Sequence, residues 1–156
     1  MNIQIVAVGR LRKGPELALF TDYADRFNKT GRPLGLGPLK IHEVEDKKGI
    51  GAAAEADLIW RSTPQGGRVI ALDERGTVRS SPKFAQTLQT FADQGVPNLT
   101  FWIGGADGFT DDMRGRADAL LSFGAMVWPH MLARVMLCEQ LYRAASILAG
   151  KPYHRG

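Results

Sequence analysis

Apolar and polar residues follow two different patterns along this chain, and the two patterns alternate. Short apolar runs are typical of buried strands, and they predict strands at residues 3–8, 39–44, 69–73, 99–103 and 125–128. Segments with helical spacing predict helices over residues 15–29, 51–61, 82–94 and 111–121, and from Pro129 or His130 to Ala149, with Gly150 as the stop. Strands separated by helices predict an α/β fold with a mainly parallel sheet and helices on both faces.

The last of these helices departs from the usual amphipathic pattern. Its apolar residues cover nearly the whole circumference: Leu132, Val135, Met136, Leu137, Cys138, Leu141, Ala144, Ala145, Ile147 and Leu148. A helix that is apolar all round must be buried on more than one side, so it needs a second chain or a wrapped loop besides its own sheet. Glu139 and Arg143 are four residues apart and can pair along the helix. Arg134 has no equally clear partner, so it either faces a ligand or reaches solvent.

Length, charge and cysteine content limit the classes of protein to which this sequence can belong. The 156 residues are the size of one ordinary domain, so we expect a single domain over residues 1–156. The net charge of +4 is compatible with a nucleic-acid partner and equally with solubility alone. The single cysteine, Cys138, predicts no disulfide framework and no metal site, which fits a reducing compartment. Since the N-terminus does not resemble a signal peptide and no apolar run is long enough for a membrane span, we expect a cytoplasmic protein.

Candidate chemistry lies where the predicted strands end, because ligands in open α/β sheets bind beyond the carboxyl ends of the strands. Three such segments stand out, at residues 72–76, 104–108 and 122–130. Their glycines allow a ligand to approach the backbone closely, although a Gly-Gly-x-x-Gly run also occurs in ordinary tight turns. The chain has no dinucleotide fingerprint after its first strand, no P-loop and no nucleophile elbow. Asp111 and Asp112 are interpreted as the acidic start of a helix and not as a metal site.

The C-terminal segment is unusually dense in chemical groups. Lys151-Pro152-Tyr153-His154-Arg155 follows directly on the last helix and combines an aromatic ring, an imidazole and two cations. Such groups can stack on a base, move a proton and hold a phosphate. The alternative is a solvated basic tail. The remaining histidines, His130 at a helix start and His42 in a strand, are interpreted as structural.

Motifs along the whole chain occur in a characteristic order and spacing. They are Ile5-Val6-Ala7-Val8-Gly9, Leu72-Asp73, Ile103-Gly104-Gly105 with Gly108, Trp128-Pro129-His130, Glu139-Gln140-Leu141-Tyr142-Arg143-Ala144 and Pro152-Tyr153-His154-Arg155. With these motifs the sequence resembles the ribosomal RNA large subunit methyltransferase H family, which methylates N3 of a pseudouridine in helix 69 of 23S rRNA. The resemblance implies a SPOUT-type fold with a C-terminal trefoil knot, S-adenosylmethionine as cofactor, the assembled ribosome as substrate and a homodimer. It also accounts for the last helix as one that threads the knot and meets the second subunit.

The resemblance further implies particular site residues. It assigns S-adenosylmethionine to Leu72, Gly104, Phe123, Gly124, Ala125, Met126, Val127 and Trp128. It assigns Tyr153, His154 and Arg155 to an active site completed across the dimer, and Arg134 is a further candidate for lack of an evident partner. By residue type, His154 can accept the N3 proton, Tyr153 can stack on the base, and Arg155 or Arg134 can stabilise negative charge. Two other functions remain open, namely an RNA-binding module without cofactor and an enzyme acting on a small nucleotide.

Overall fold

The structure is a computed structural model that describes residues 1–46 and 49–155. Strands and helices alternate along the chain, and a short 3-10 turn, Arg32–Leu34, follows the first helix. The elements are β1 Asn2–Val8, α1 Pro15–Gly31, β2 Leu39–Val44, α2 Gly51–Arg61, β3 Arg68–Val78, α3 Ser81–Asp93, β4 Asn98–Ile103, α4 Asp111–Arg116, β5 Ala119–Ser122 and α5 His130–Leu148.

Within the described residues, the strands form one sheet in the order β2-β1-β4-β3-β5, and all neighbouring strands are parallel. Side chains of β1 alternate between two apolar layers, because successive residues of a strand point to opposite faces. Ile3, Ile5 and Ala7 pack with α1, α3 and α5 on one face, whereas Val6 and Val8 pack with α2 and α4 on the other. The predicted α/β class, with a parallel sheet covered on both faces, is confirmed.

Two elements predicted between residues 111 and 128 are wrong. The helix predicted over 111–121 ends at Arg116, and the chain continues as β5. Asp118 is the cause, since its backbone N–H donates to the carbonyl of Val69 (2.9 Å) and its carboxylate accepts from the N–H of Val69 (2.8 Å). These bonds align the following residues with β3. Residues 125–128, predicted as the fifth strand, form an exposed loop, because β5 already occupies the edge of the sheet.

β3 is longer than its apolar run predicts and changes register partway along. It pairs with β5 up to Leu72 and again from Thr77, so residues 73–76 lie outside the ladder. Gly76 passes so close to β5 that a Cβ there would lie 2.5 Å from the carbonyl carbon of Leu120. The irregular stretch frees Asp73 and its neighbours from strand pairing, and they become available to the site described below.

α5 is covered by helices of its own chain. It packs against α1 and α3, and Leu137, Cys138 and Leu141 are fully buried. Burial raises the pKa of the Cys138 thiol to about 12, so this cysteine is an inert core residue. The apolar circumference of α5 is thus satisfied largely within one protomer, and it does not by itself require a second subunit. Neither α5 nor any other helix of the described residues is long and apolar enough to cross a membrane.

Candidate active site

A cavity of about 660 Å³ opens at the carboxyl edge of the sheet, beyond the ends of β3, β4 and β5. Its walls come from residues 72–75, 103–109 and 123–130, with Ala125 left out, and Arg114, Leu121 and Ala133 complete the lining. These are the strand-end segments that the sequence singles out. The parallel topology brings them together, because neighbouring strands end at the same edge.

Most residues that the resemblance assigns to the cofactor lie in this lining. They are Leu72, Gly104, Phe123, Gly124, Met126, Val127 and Trp128. Ala125 belongs to the same loop but is exposed and does not line the cavity.

The carboxylate of Asp73, which is paired with Arg114, stabilises one wall of the cavity. Asp73, at the end of the regular part of β3, accepts from the backbone N–H of Arg75 (2.9 Å) and pairs with Arg114 of α4 (3.4 Å). Arg114 also donates to the carbonyl of Phe109 and pairs with Asp111. The guanidinium therefore ties the end of β3 to the loop after β4. Sequence analysis missed Arg114, because nothing in a short helix indicates which basic residue turns towards a strand.

The glycine-rich loop after β4 forms a second wall. Gly104 is not at positive φ, and a Cβ there would lie 3.4 Å from the ring of Phe109, close to the limit of ordinary contact. At Gly105 a Cβ would lie 3.0 Å from the carboxylate of Glu55, which is 7% exposed. Oε1 of Glu55 has no hydrogen-bond partner among the described residues. Burial, together with the charges of Asp46 and Asp107, raises the pKa of Glu55.

The loop between β5 and α5 forms the third wall and the rim. Gly124 has φ +110°, which favours glycine, and its N–H donates to the hydroxyl of Ser122 (3.1 Å). Beyond this turn, Met126 and Val127 are 76% and 85% exposed. Large apolar side chains this open beside a cavity indicate a surface that binds a ligand or another protein.

The C-terminal segment is anchored on α5 and is not a solvated tail. The hydroxyl of Tyr153 donates to Glu139 (3.0 Å), and the ring lies 4.5 Å from that of Tyr142, centroid to centroid. Burial beside Glu139 raises the pKa of Tyr153. Arg143, which is paired with Glu139, also lies 3.2 Å from Nδ1 of His154. Arg155 is exposed.

These tail residues do not line the cavity of their own protomer. A second groove, of about 470 Å³, lies next to the cavity and shares Leu121 and Phe123 with it. Glu139, which holds Tyr153, lines this groove. The anchor of the tail and the cavity are therefore neighbours across Phe123, while the tail side chains themselves lie outside the cavity.

Arg134 neither faces the cavity nor reaches solvent, and both expectations for it are wrong. Its side chain is fully buried, its Nη1 donates to Glu43 (2.7 Å), and its Nη2 donates to the carbonyls of Val8 (3.2 Å) and Gly9 (3.1 Å). Burial lowers the pKa of Arg134 and the Glu43 carboxylate opposes that shift. The partner was invisible in the sequence because Glu43 lies on a different element, 91 positions away.

His130, interpreted from the sequence as structural, lines the cavity. It is half-buried at the start of α5, next to the rim loop. The signal that could have identified it is position, since it is the last residue of the third strand-end segment, 122–130. His42 lines neither the cavity nor the adjacent groove.

The sequence is similar to known proteins over almost its whole length. Residues 1–154 match the sequence profile of a family described as "Predicted SPOUT methyltransferase". The ribosomal RNA large subunit methyltransferase H of Dinoroseobacter shibae is 61% identical over 155 residues, which cover 99% of both chains. The protein of the same name from Roseobacter denitrificans is 59% identical with the same coverage.

Two solved structures resemble the chain in fold. A probable methylase family protein from Haemophilus influenzae superposes with a TM-score of 0.54 at 14% identity, covering 99% of this chain and 71% of that one. A probable methyltransferase from Bordetella pertussis gives a TM-score of 0.54 at 11% identity, covering 92% of this chain and 96% of that one. At such low identity these likenesses show the fold alone.

Proposed function

Because the chain belongs to the SPOUT methyltransferases, and within them to the ribosomal RNA large subunit methyltransferase H family, we propose that it methylates N3 of a pseudouridine in helix 69 of 23S rRNA. S-adenosylmethionine is the methyl donor, and the assembled ribosome is the substrate. The observation that carries the proposal is 61% identity over 155 residues, an alignment long enough to span the strand-end segments of the cavity. A ribosomal substrate makes the cytoplasm the place of action.

The cavity fits the cofactor in size and chemistry. Its volume lies within the range of roughly 300–1,000 Å³ typical of small-molecule sites. Leu72, Phe123 and Trp128 offer apolar surface for an adenine ring, and the carboxylates of Asp73 and Glu74 suit a ligand that carries a sulfonium and an ammonium. When bound, S-adenosylmethionine supplies an electrophilic methyl group.

The residues of the tail prepare the nucleophile. N3 of a pseudouridine carries a proton and becomes nucleophilic only when that proton leaves, which puts negative charge on the base. Arg143 can only donate, so Nδ1 of His154 accepts from it and the neutral ring carries its proton on Nε2. We therefore propose that His154 donates Nε2–H to a carbonyl oxygen of the base anion while the N3 proton passes to water. Arg155, exposed and cationic, stabilises the same charge.

We further propose that the active enzyme is a homodimer in which the tail of one protomer completes the cavity of the other. Two features support this arrangement. Tyr153 and His154 are held in place on α5 although they do not line their own cavity. Met126 and Val127 offer exposed apolar surface at the cavity rim, where a partner chain would cover it. The SPOUT class also implies the C-terminal trefoil knot, which stays a prediction.

Mass spectrometry of helix 69 tests the proposed function. Ribosomes lacking the modification are incubated with the protein and S-adenosylmethionine, and the rRNA is digested and sequenced by mass. We expect one added methyl group on the pseudouridine, and none when free 23S rRNA replaces ribosomes.

The matched control is a variant lacking residues 152–156, which should bind S-adenosylmethionine but leave helix 69 unmodified. A protein that binds ribosomes but no radiolabelled cofactor would be an RNA-binding module instead. One that methylates free nucleosides as well as ribosomes would be a small-nucleotide enzyme.

A further inference from the structure

The loop between β1 and α1, residues 9–14, presents a concentrated positive charge. Arg10, Arg12 and Lys13 are all exposed, whereas Leu11 between them is buried. None of the three cations forms an ion pair with a carboxylate of residues 1–46 or 49–155. The loop therefore places three exposed cations, none of them in such an ion pair, within residues 10–13.

Hydrogen bonds to residues of β2 and α5 hold the first part of this loop in place. The N–H of Gly9 donates to the carbonyl of Val44 (2.8 Å), and the N–H of Leu11 donates to Glu43 (2.6 Å). The same carboxylate receives Arg134, whose second nitrogen donates to the carbonyl of Gly9. The Arg134–Glu43 pair thus fixes the backbone at Gly9 and Leu11, on either side of Arg10 and directly before Arg12. A surface fixed in advance loses little entropy on binding.

The loop also lies beside the cavity. A Cβ on Gly9 would be 3.2 Å from the side chain of Met131 and 4.0 Å from Nε2 of His130, and His130 lines the cavity. β1 neighbours β4 in the sheet, so the loop leaves from the same carboxyl edge as the glycine-rich wall. The loop therefore begins next to a residue that lines the cavity, on the same edge of the sheet.

We propose that residues 9–14 bind the phosphate backbone of the RNA next to the target nucleotide, with Arg10, Arg12 and Lys13 as the contacts and Arg134 and Glu43 as positioning residues. This inference rests on the proposed function, since it assigns the surface by which the same site holds its RNA. Cations that neutralise phosphates supply most of the sequence-independent affinity for nucleic acid and make it salt-dependent. The cofactor cavity gains nothing from these side chains, because none of them lines it.

The test compares two triple variants of equal charge loss. Arg10→Ala/Arg12→Ala/Lys13→Ala removes the proposed contacts. Lys29→Ala/Arg32→Ala/Lys40→Ala removes three exposed cations at the opposite edge of the sheet, near the end of α1 and the start of β2. Ribosome KM, kcat and cofactor Kd are measured for each, with KM followed from about 50 to 300 mM salt.

For the loop variant we expect a ribosome KM raised on the order of tenfold and a salt slope reduced by about two to three, because each lost phosphate contact lowers the slope by nearly one. Its kcat at saturating ribosomes and its cofactor Kd should match the control. A loop variant with the same KM and salt slope as the control would overturn the proposal.

A labelled RNA hairpin distinguishes RNA from a ribosomal protein as the partner. If the loop variant loses affinity for ribosomes but binds the hairpin as tightly as the control variant does, the loop contacts protein and the proposal is wrong. Failure of the proposed function is a separate result, since it would appear as an unmodified helix 69 with the unaltered chain. Binding of the hairpin would then still show whether the loop contacts RNA.

Discussion

The contact with Arg143 decides which ring nitrogen of the neutral His154 side chain carries the proton. A guanidinium has no acceptor, so the 3.2 Å contact with Nδ1 leaves the neutral imidazole with its proton on Nε2. The ring nitrogen that faces away from the anchor is then a donor, suited to stabilising an anion and not to taking up a proton. Residue type alone suggested the opposite role, because histidine is the commonest general base.

Two substitutions at His154 distinguish these roles. His154→Ala should lower the single-turnover rate on saturating ribosomes on the order of 10²-fold, whereas His154→Gln, which retains an N–H donor, should stay within about tenfold of the unaltered chain. Cofactor Kd, measured by calorimetry, should be unchanged in both. Equal loss in the two variants, with the pH dependence of the rate abolished, would identify His154 as the proton acceptor.

Gly104 lines the cofactor wall and leaves little room for a side chain. Its backbone conformation admits other residues, but a Cβ would already touch Phe109 at 3.4 Å. Gly104→Ala should weaken S-adenosylmethionine binding by about tenfold and Gly104→Val should abolish it, because each added carbon enters the cavity wall. Calorimetry on the folded variants measures this, with the exposed Gly115→Val of α4 as control. Unchanged affinity in Gly104→Val would mean that the strand-end glycines serve only the turn.

At the scale of elements, α5 connects every part of the site. Its first turn gives His130 to the cavity wall, its next turn buries Arg134 under the β1–α1 loop, and its later turns hold the tail through Glu139 and Arg143. α1 and α3 pack on either side of the same helix. A single rigid helix therefore fixes the positions of the cofactor cavity, the cationic loop and the tail relative to one another.

Contact between α2 and the glycine-rich loop makes stability depend on pH. Burial raises the pKa of Glu55 above its ordinary value of 4.5, so its ionised form disfavours the folded state. The stability that Glu55 contributes is fully present below the unfolded pKa and is lost as the pH rises through the folded pKa. Glu55→Gln should therefore raise the melting temperature at pH 8 by roughly 2–4 °C and have little effect near pH 4.

Thermal melts across this pH range measure the difference between Glu55→Gln and the unaltered chain. Asp57→Asn, an exposed acid on the same helix, provides the matched control and should show no such dependence. If the variant melts at a lower temperature than the unaltered chain at pH 8, the ionised Glu55 carboxylate must form a stabilising interaction in the folded protein.

At the scale of the whole molecule, the cavity and the tail are each well formed but do not meet within one protomer. A dimer that exchanges tails would join them, and it would also cover the exposed Met126 and Val127. In such a dimer each active site contains the cavity of one subunit and the tail of the other.

Complementation tests this arrangement. Gly104→Val removes a functional cavity and His154→Ala removes a functional tail, so each homodimer should be nearly inactive. After subunit exchange, the mixed dimer contains one site with both parts intact, and a random mixture should recover about a quarter of the unaltered activity. Light scattering should give about twice the 17.1 kDa chain mass. No recovery despite confirmed exchange would mean that each tail serves its own cavity.

The sequence alone determined the α/β class, most strand and helix positions, and the segments that line the cavity. These follow from local causes: strands 3–8 and 99–103 are short, mostly apolar runs, and parallel strands end at a common edge. It also pointed to the pair of Glu139 and Arg143, since i,i+4 residues meet on any helix.

Only the tertiary structure decided what depends on contacts between distant residues. Asp118 forms β5 where helical spacing predicted a longer helix, because its bonds to Val69 connect positions 49 apart in the chain. Arg134 is buried with Glu43, and His130 lines a cavity, for the same reason. A periodic pattern records which face of an element is apolar, but it contains no information about which distant polar group completes a hydrogen bond there.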